Sequence, residues 1–427
     1  MPQLTRLRRA LRRLAGHLIH FRFAAIGGEI KTALRRLREN AHLRRNRRAL
    51  RAALAGKADG RRVILFPPTL DWHLPLYQRP QQLARAYSRK ENTLVLYLTA
   101  NNAHDRVDAA QALGDSLVLV NASLARELSA LLRGASETVV SLSWTANRRY
   151  LELLRPDRVI YEYIDELEIF DGYDAAMRRD HAWLLRRADL TVCTAQSLYE
   201  KARSTARRAI YSPNAGDYAF FFRTASAVPD ARAAQAAANY SAVLGYYGAL
   251  AAWFDYPLLS AAADRRPDWL FLLIGMDYDG SLAKSGLLTR PNVLWIPPQP
   301  YERLPSYLRL FDVALIPFRL SEITRSTSPV KLFEYMAAEK PILSARLREC
   351  LRYPCVETYA DETEFLAKAA SLLARKDDPA LKAALRDEAL RNTWDARTDE
   401  ILAALARTRE DEPTKGYPLI QTKTIPG

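Results

Sequence analysis

Thr327-Ser328-Pro329-Val330-Lys331-Leu332-Phe333-Glu334-Tyr335-Met336-Ala337-Ala338-Glu339-Lys340-Pro341-Ile342-Leu343-Ser344 compresses a loop, a helix and a strand into eighteen residues. Ser328 is placed to cap the helix with its hydroxyl, and Pro329 falls at the first helical position, where a missing N–H costs nothing. Val330, Phe333, Met336 and Ala337 then share one face, while Lys331 and Glu334 share another. The free N–H groups of a first helical turn form an anion site, and Glu334, one turn deeper, is a carboxylate able to accept hydrogen bonds from vicinal hydroxyls. Diphosphate at the cap and ribose at the carboxylate make this pairing suit a nucleotide. The competing reading is an ordinary surface helix carrying a Lys331/Glu334 pair.

Working outward, the chain before this stretch alternates short apolar runs with helical sequence. Ala242-Val-Leu-Gly245-Tyr-Tyr-Gly248 is a strand entering a glycine turn, where a missing side chain lets backbone approach a phosphate. Trp269–Ile274, Asn292–Ile296 and Asp312–Ile316 continue the series up to Ser328. The first half repeats the pattern. Arg62–Phe66 and Thr93–Leu98 flank a loop and helix running from Asp71 to Ala84, a βαβ unit that sets Asp71 to Arg79 at the carboxyl end of a strand. Leu117–Val120, Thr138–Leu142 and Val159–Tyr163 follow as strands. Tyr161-Glu162-Tyr163-Ile164-Asp165-Glu166, with Phe170-Asp171 just beyond, puts carboxylates at a strand end, poor choices for a core and good ones for gripping or deprotonating a sugar hydroxyl. A helix cap or ion-pair acid is the alternative for Asp165, and an ion pair with a neighbouring acid the alternative for Arg79.

The wording Ser-Pro-Val-Lys-Leu-Phe-Glu-Tyr-Met-Ala-Ala-x-Lys-Pro-Ile resembles the donor-site helix of GT-B glycosyltransferases of the family 4 type. Gln78-Arg79-Pro80-x-Gln82-Leu83-Ala84 resembles the first helix of a bacterial cell-envelope subgroup of the same enzymes. The likeness covers about residues 62–407 and is strongest over 243–345. It implies an α/β fold of two Rossmann-like domains facing a cleft, with Glu334 on the ribose of a nucleotide-sugar; Lys331 and Arg325 are then candidates for neutralising its diphosphate, Ser328 caps the helix there and Gly248 makes room for it. It implies Asp165 and Arg79 as catalytic or acceptor-side residues, and retention of anomeric configuration. Five positions depart from the family wording: the glycine of the Asn214–Asp217 turn is shifted to Gly216 and Pro297 replaces a glycine, and three more lie in or near the site. Ser326 stands where a second glutamate is usual, with Glu322 an unaligned substitute; Ile164 stands where a histidine is usual; and Glu339 stands in place of a glycine, so the helix must end without the usual residue for a left-handed turn. Trp394–Arg397, within one long helix from about Pro379 to Arg407, resembles the segment that crosses back to the first domain.

Length and composition agree with two or three domains: 427 residues, 49% of them hydrophobic, suffice for full-sized cores. Cys193, Cys350 and Cys355 have neither metal spacing nor an even disulfide framework, which fits a reducing compartment. No apolar run reaches the roughly 20 residues of a membrane span, and arginines interrupt every candidate signal core. The net charge of +15 is local: residues 1–55 hold fourteen arginines and Lys31 against Glu29 and Glu39, which is +13 of the total. Leu4, Leu7, Leu11, Leu14 and Leu18 recur between arginines as a basic amphipathic helix, Gly27-Gly28 breaks it, and a second basic helix runs from about Glu29 to Ala55. An anionic membrane surface, a docking face on this or another protein, and nucleic acid are the three readings of that segment. The near absence of aromatic residues weighs against nucleic acid.

These observations predict a basic helical extension (1–58), an acceptor domain (59–225), a linker (226–242), a nucleotide-sugar domain (243–392), a helix crossing back (393–409) and a tail (410–427). The expected protein is a nucleotide-sugar-dependent glycosyltransferase acting on a glycan or lipid-linked acceptor, cytoplasmic and peripheral on the inner face of a bacterial plasma membrane, with no cofactor, no metal and no nucleic-acid partner. No Asp-x-Asp motif is placed to bind a metal, and a helix N-terminus with basic side chains can neutralise a leaving diphosphate. A sugar-nucleotide epimerase and a non-catalytic scaffold of the same fold are the alternatives.

Overall fold

The computed structural model describes residues 41–74, 77–169 and 172–408. Two sheets organise them. The first has eight strands, β1 (Arg62–Phe66), β2 (Thr93–Thr99), β3 (Ala110–Ala112), β4 (Leu117–Asn121), β5 (Glu137–Leu142), β6 (Arg158–Tyr163), β7 (Leu190–Cys193) and β8 (Ala209–Tyr211), in the spatial order β3-β4-β2-β1-β5-β6-β7-β8. Only β3 runs antiparallel, against β4. The second sheet has six parallel strands, β9 (Ala242–Tyr247), β10 (Trp269–Ile274), β11 (Val293–Ile296), β12 (Val313–Ile316), β13 (Ile342–Ala345) and β14 (Val356–Tyr359), ordered β11-β10-β9-β12-β13-β14.

Helices connect the parallel strands and cover the sheets, so the central strands are buried along their whole length: Leu94, Val95, Leu96, Tyr97 and Leu98 in β2, and Phe271, Leu272 and Leu273 in β10, are fully inaccessible. That is why these strands read as unbroken apolar runs. Register is fixed by the same burial, with Val63 beside Leu94 on one side and Thr138 on the other. In each sheet the order reverses once, between β1 and β5 and between β9 and β12. In open parallel sheets that reversal opens a crevice beyond the carboxyl ends of the strands.

Four expectations need correction. The long helix expected from Pro379 to Arg407 is two helices, Pro379–Arg391 and Trp394–Arg407. Thr393 ends the continuity by capping the second with its hydroxyl on Ala396 N–H (3.1 Å), while the Asn392 side chain donates to Glu388 O (2.7 Å). The second helix lies against the first sheet's side of the molecule, through Arg89–Asp395 (2.9 Å) and Arg397 donating to Pro213 O (3.0 Å). Within 225–242, where no apolar period was visible, Asp230 caps a helix over Ala231–Ala237 and also holds Arg303 (2.9 Å) and Tyr307 (3.1 Å) of the second half. The short strands β3, β7, β8 and β14 were not read, because three or four residues carry too little alternation.

The fourth correction concerns the basic extension. Residues 41–54 are helical, and Leu50 and Leu54 are buried in the core of the first sheet. Asn46 donates to Asp108 O (2.9 Å) and Arg47 pairs with Glu127 (2.9 Å). The leucines of this part therefore face the protein and are not free to enter a lipid surface. Residues 1–40 of that expectation, and Phe170, Asp171 and the 410–427 tail, lie outside the described residues. Among the described residues no helix is long and apolar enough to cross a membrane.

Candidate active site

The reversal between β9 and β12 brings together the two stretches singled out from sequence. β9 runs directly into Gly248, and the loop after β12 leads through Ser326–Pro329 into the helix Val330–Ala337. Gly248 has φ +137°, a conformation that side chains rarely adopt, and an added Cβ would lie 2.9 Å from Lys331 Cε. The glycine therefore leaves room for the Lys331 side chain to lie across the end of β9. Gly275, at the end of β10, is constrained likewise: an added Cβ would meet Gly248 O at 1.9 Å. The Lys331 ammonium lies 5.2 Å from the Tyr246 ring centroid and 5.1 Å from that of Phe318. Burial pulls its pKa down to about 8, against an opposing pull from Glu334.

Glu334 is the principal surprise. It lies 4% exposed and accepts hydrogen bonds from Tyr247 Oη (2.6 Å) and Tyr301 Oη (3.3 Å). Burial raises its pKa to about 7, with the tyrosine hydroxyls and Lys331 acting in the opposite direction. The surface-pair reading is thus excluded by the burial of the carboxylate, and so is the picture of an open cleft carboxylate. Two phenolic hydroxyls stand where two sugar hydroxyls were expected. Tyr301 also takes a bond from Gln82 (3.1 Å) and packs edge-on against Tyr77, both of the first half, and stacks on Phe220. Nothing in the sequence around Tyr301 signals this role; Tyr247 was visible only as the residue preceding Gly248.

Ser328 does not cap the helix. Pro329 occupies the cap position with no side-chain bond, and Ser328 Oγ instead accepts Asn214 N–H (3.1 Å), while the Asn214 amide donates to Ser328 O (2.6 Å). The reason is tertiary: the first turn is tied to the 213–216 segment, where a Cβ on Gly216 would sit 2.9 Å from Phe333 O. Ser326, at the position of the missing glutamate, is buried against Ser197 (3.0 Å). Arg325 is exposed and pairs with Glu322 (2.8 Å) on the short helix Glu322–Arg325. The helix Val330–Ala337 ends in a left-handed residue after all, Glu339 at φ +53°, whose carboxylate pairs with Arg386 (2.6 Å).

On the first sheet, Arg79 is a correction. Its guanidinium is buried, bonded to Glu162 (2.8 Å) and Pro213 O (3.1 Å), which makes it an anchor between the helix Arg79–Ser88, β6 and the 213–214 turn rather than a group in the cleft. Asp71 is likewise committed: its carboxylate accepts the N–H groups of Ala103 (2.7 Å) and His104 (2.8 Å), and four backbone bonds outweigh the opposing effect of burial to hold its pKa down to about 2. Asp165 follows β6 in a turn fixed by Thr194 Oγ1 donating to Ile164 O (2.7 Å), and burial raises its pKa to about 7. Among the described residues no group of three His, Cys, Asp or Glu side chains gathers as a metal site.

Comparison with known proteins places this arrangement. A family described as glycosyl transferase-like matches residues 256–403. The protein described as the teichuronic acid biosynthesis glycosyltransferase TuaH of Bacillus subtilis (strain 168) is 27% identical over 228 residues, 51% of this chain and 57% of that one. The match therefore spans little more than half the length of that curated relative. Sucrose-phosphate synthase from Thermosynechococcus elongatus superposes with a TM-score of 0.61 at 14% identity, over 82% of this chain and 100% of the other. Anabaena HepE in complex with UDP and glucose gives 0.59 at 13%, over 81% and 100%. The chain has the two-domain GT-B fold, and residues 256–403 are similar to the glycosyl transferase-like family. In this GT-B chain both sheets carry Rossmann-like domains, and the crevice after β9 and β12 belongs to the second of them.

Proposed function

We propose that the protein transfers a sugar from a nucleotide-sugar to a cell-envelope glycan or lipid-linked acceptor, with the donor in the crevice beyond β9 and β12 and the acceptor against the carboxyl ends of the first sheet. The observation that carries this reading is the crossing of Lys331 over Gly248 at the strand-order reversal, with Glu334 one turn deeper on the same helix. Lys331 and the helix N-terminus face the diphosphate, and Arg325 reaches it by releasing Glu322. Glu334 takes the ribose diol in exchange for the Tyr247 and Tyr301 hydroxyls, a replacement of like by like. Asp165, close to neutral-pH titration, serves the reaction centre. Charge neutralisation by Lys331 makes a metal unnecessary, and the family likeness favours retention.

The teichuronic acid assignment of TuaH supports an envelope acceptor, and the UDP held by HepE supports a uridine donor. We assign residues 1–40 to a contact with the anionic inner face of a bacterial plasma membrane. The test is calorimetry of the full chain with UDP-, GDP- and dTDP-sugars, followed by product analysis with and without a lipid-linked acceptor. Acceptor-dependent release of the nucleoside diphosphate supports transfer; acceptor-independent change of the sugar makes the protein an epimerase; and absence of binding to every donor leaves only a scaffold.

A further inference from the structure

A second recess lies away from the donor crevice, at the carboxyl end of β6. It measures about 190 Å³, and its walls include Tyr163, Glu166, Glu168, Tyr173, His181 and Lys201. Their arrangement is specific. Tyr161 and Tyr163 stack at 9° and 6.1 Å, and the His181 ring packs on Tyr163 at 4.8 Å. His181 Nδ1 bonds to Tyr161 Oη (2.7 Å), so Nε2 is the ring nitrogen left for a ligand. Tyr163 Oη donates to Glu166 (3.4 Å), whose other oxygen pairs with Lys201.

The size and charge select a ligand. Sites for drug-sized molecules occupy roughly 300–1,000 Å³, so a recess of this size takes a single ring and not a nucleotide-sugar. Glu166 is matched by Lys201, and Glu168 is countered by the Arg178 guanidinium 5.5 Å from the Tyr173 ring centroid, so the recess has no excess of positive charge to draw in phosphate. Burial holds His181 neutral, with its pKa down to about 4, so it adds no cation to attract one. Flat aromatic faces beside carboxylate acceptors and a ring-nitrogen donor or acceptor suit a pyranose, which has one apolar face and a rim of hydroxyls. The recess also borders the domain contact: Glu200, next to Lys201, pairs with Arg348 of the second half (2.6 Å), and Glu166 follows Asp165 directly.

We propose that this recess binds an uncharged sugar ring of the acceptor, packed against the half-buried Tyr173 and hydrogen-bonded by Glu166 and His181. The assignment rests on the glycosyltransferase reading, and the test separates the two. Saturation-transfer NMR on the full chain uses methyl glucoside, methyl galactoside and methyl N-acetylglucosaminide as probes, with UDP-glucose binding measured in parallel. At least one glycoside is expected to receive saturation. Tyr173→Ala and His181→Gln are each expected to weaken that glycoside roughly two- to tenfold while leaving UDP-glucose affinity unchanged. Lys201→Ala, at an exposed residue, serves as a variant that keeps the fold. Binding of UDP-glucose with no saturation of any glycoside overturns the recess and leaves the donor reading intact. Glycoside binding unaffected by all three variants overturns it as well. Glycoside binding lost in the variants, in a chain that binds no nucleotide-sugar, upholds the recess and overturns the donor reading.

Discussion

Glu334→Gln separates a ribose-binding carboxylate from a buried structural one. The side chain sits 4% exposed between Tyr247 Oη at 2.6 Å and Tyr301 Oη at 3.3 Å. Glutamine keeps the shape, its carbonyl still accepts from Tyr247, and the Tyr301 hydroxyl can turn to accept from the new amide. The cost to folding is therefore at most about 1 kcal/mol, the net worth of one neutral hydrogen bond. A donor diol would lose more, because bonds to an ionised partner contribute about 1.5–3 kcal/mol. At pH 8, where the wild-type carboxylate is mostly ionised, the dissociation constant for UDP-glucose is expected to rise about 10- to 150-fold by isothermal calorimetry. At pH 6, where the wild-type group is itself mostly protonated, the two proteins should converge. Tyr301→Phe is the companion: it removes a hydroxyl that the diol must displace, so donor affinity should hold or improve. Affinity of Glu334→Gln within threefold of wild type at pH 8, with an unchanged thermal midpoint, would refute the ribose contact. A tenfold loss in Tyr301→Phe would refute the exchange of hydroxyl for hydroxyl.

The same pair of groups predicts a narrow pH range for donor binding. The donor lowers the Glu334 pKa from about 7, a contribution lost as pH falls through that value, and raises that of Lys331 from about 8, a contribution lost as pH rises above it. Affinity should peak between the two, and a flat calorimetric profile from pH 5.5 to about 9.5 would rule out both roles. Asp165→Asn should abolish transfer while sparing UDP-glucose affinity; equal loss of both would move the acid to the donor site or to folding. Glu339→Gly relieves a left-handed residue at about 1–2 kcal/mol and gives up only a solvent-screened pair with Arg386, so denaturant unfolding should report a small gain in stability. Leu50→Ala should cost about 2–5 kcal/mol, whereas deletion of residues 1–40 should abolish salt-sensitive co-sedimentation with anionic vesicles. Equal pelleting of the full and shortened chains would remove the membrane contact.

What was legible in the sequence follows a physical line. Most of the parallel strands were readable to within a residue or two because both faces are covered, which turns each into an apolar run such as Trp269–Ile274. The helix Val330–Ala337 was readable for the same reason, since its buried face is local information. Ser328 failed because a hydroxyl beside a helix start has a local use and a distant one, and Asn214, more than a hundred residues earlier in sequence, won the competition. Arg79 failed in the opposite sense: its neighbours in sequence point to a cleft, yet its partner Glu162 lies across the sheet. Glu334 combines both cases. Its position on the helix was readable, but the tyrosines that enclose it come from β9 and from the turn after β11, and no periodicity links those segments. The enclosure has a chemical consequence. If the donor diol replaces the Tyr301 hydroxyl on Glu334, as proposed, the bond that Gln82 of the first domain donates to that hydroxyl must re-form around it. On the proposed reading, the Tyr301 hydroxyl is then shared between donor binding and the contact between the two halves.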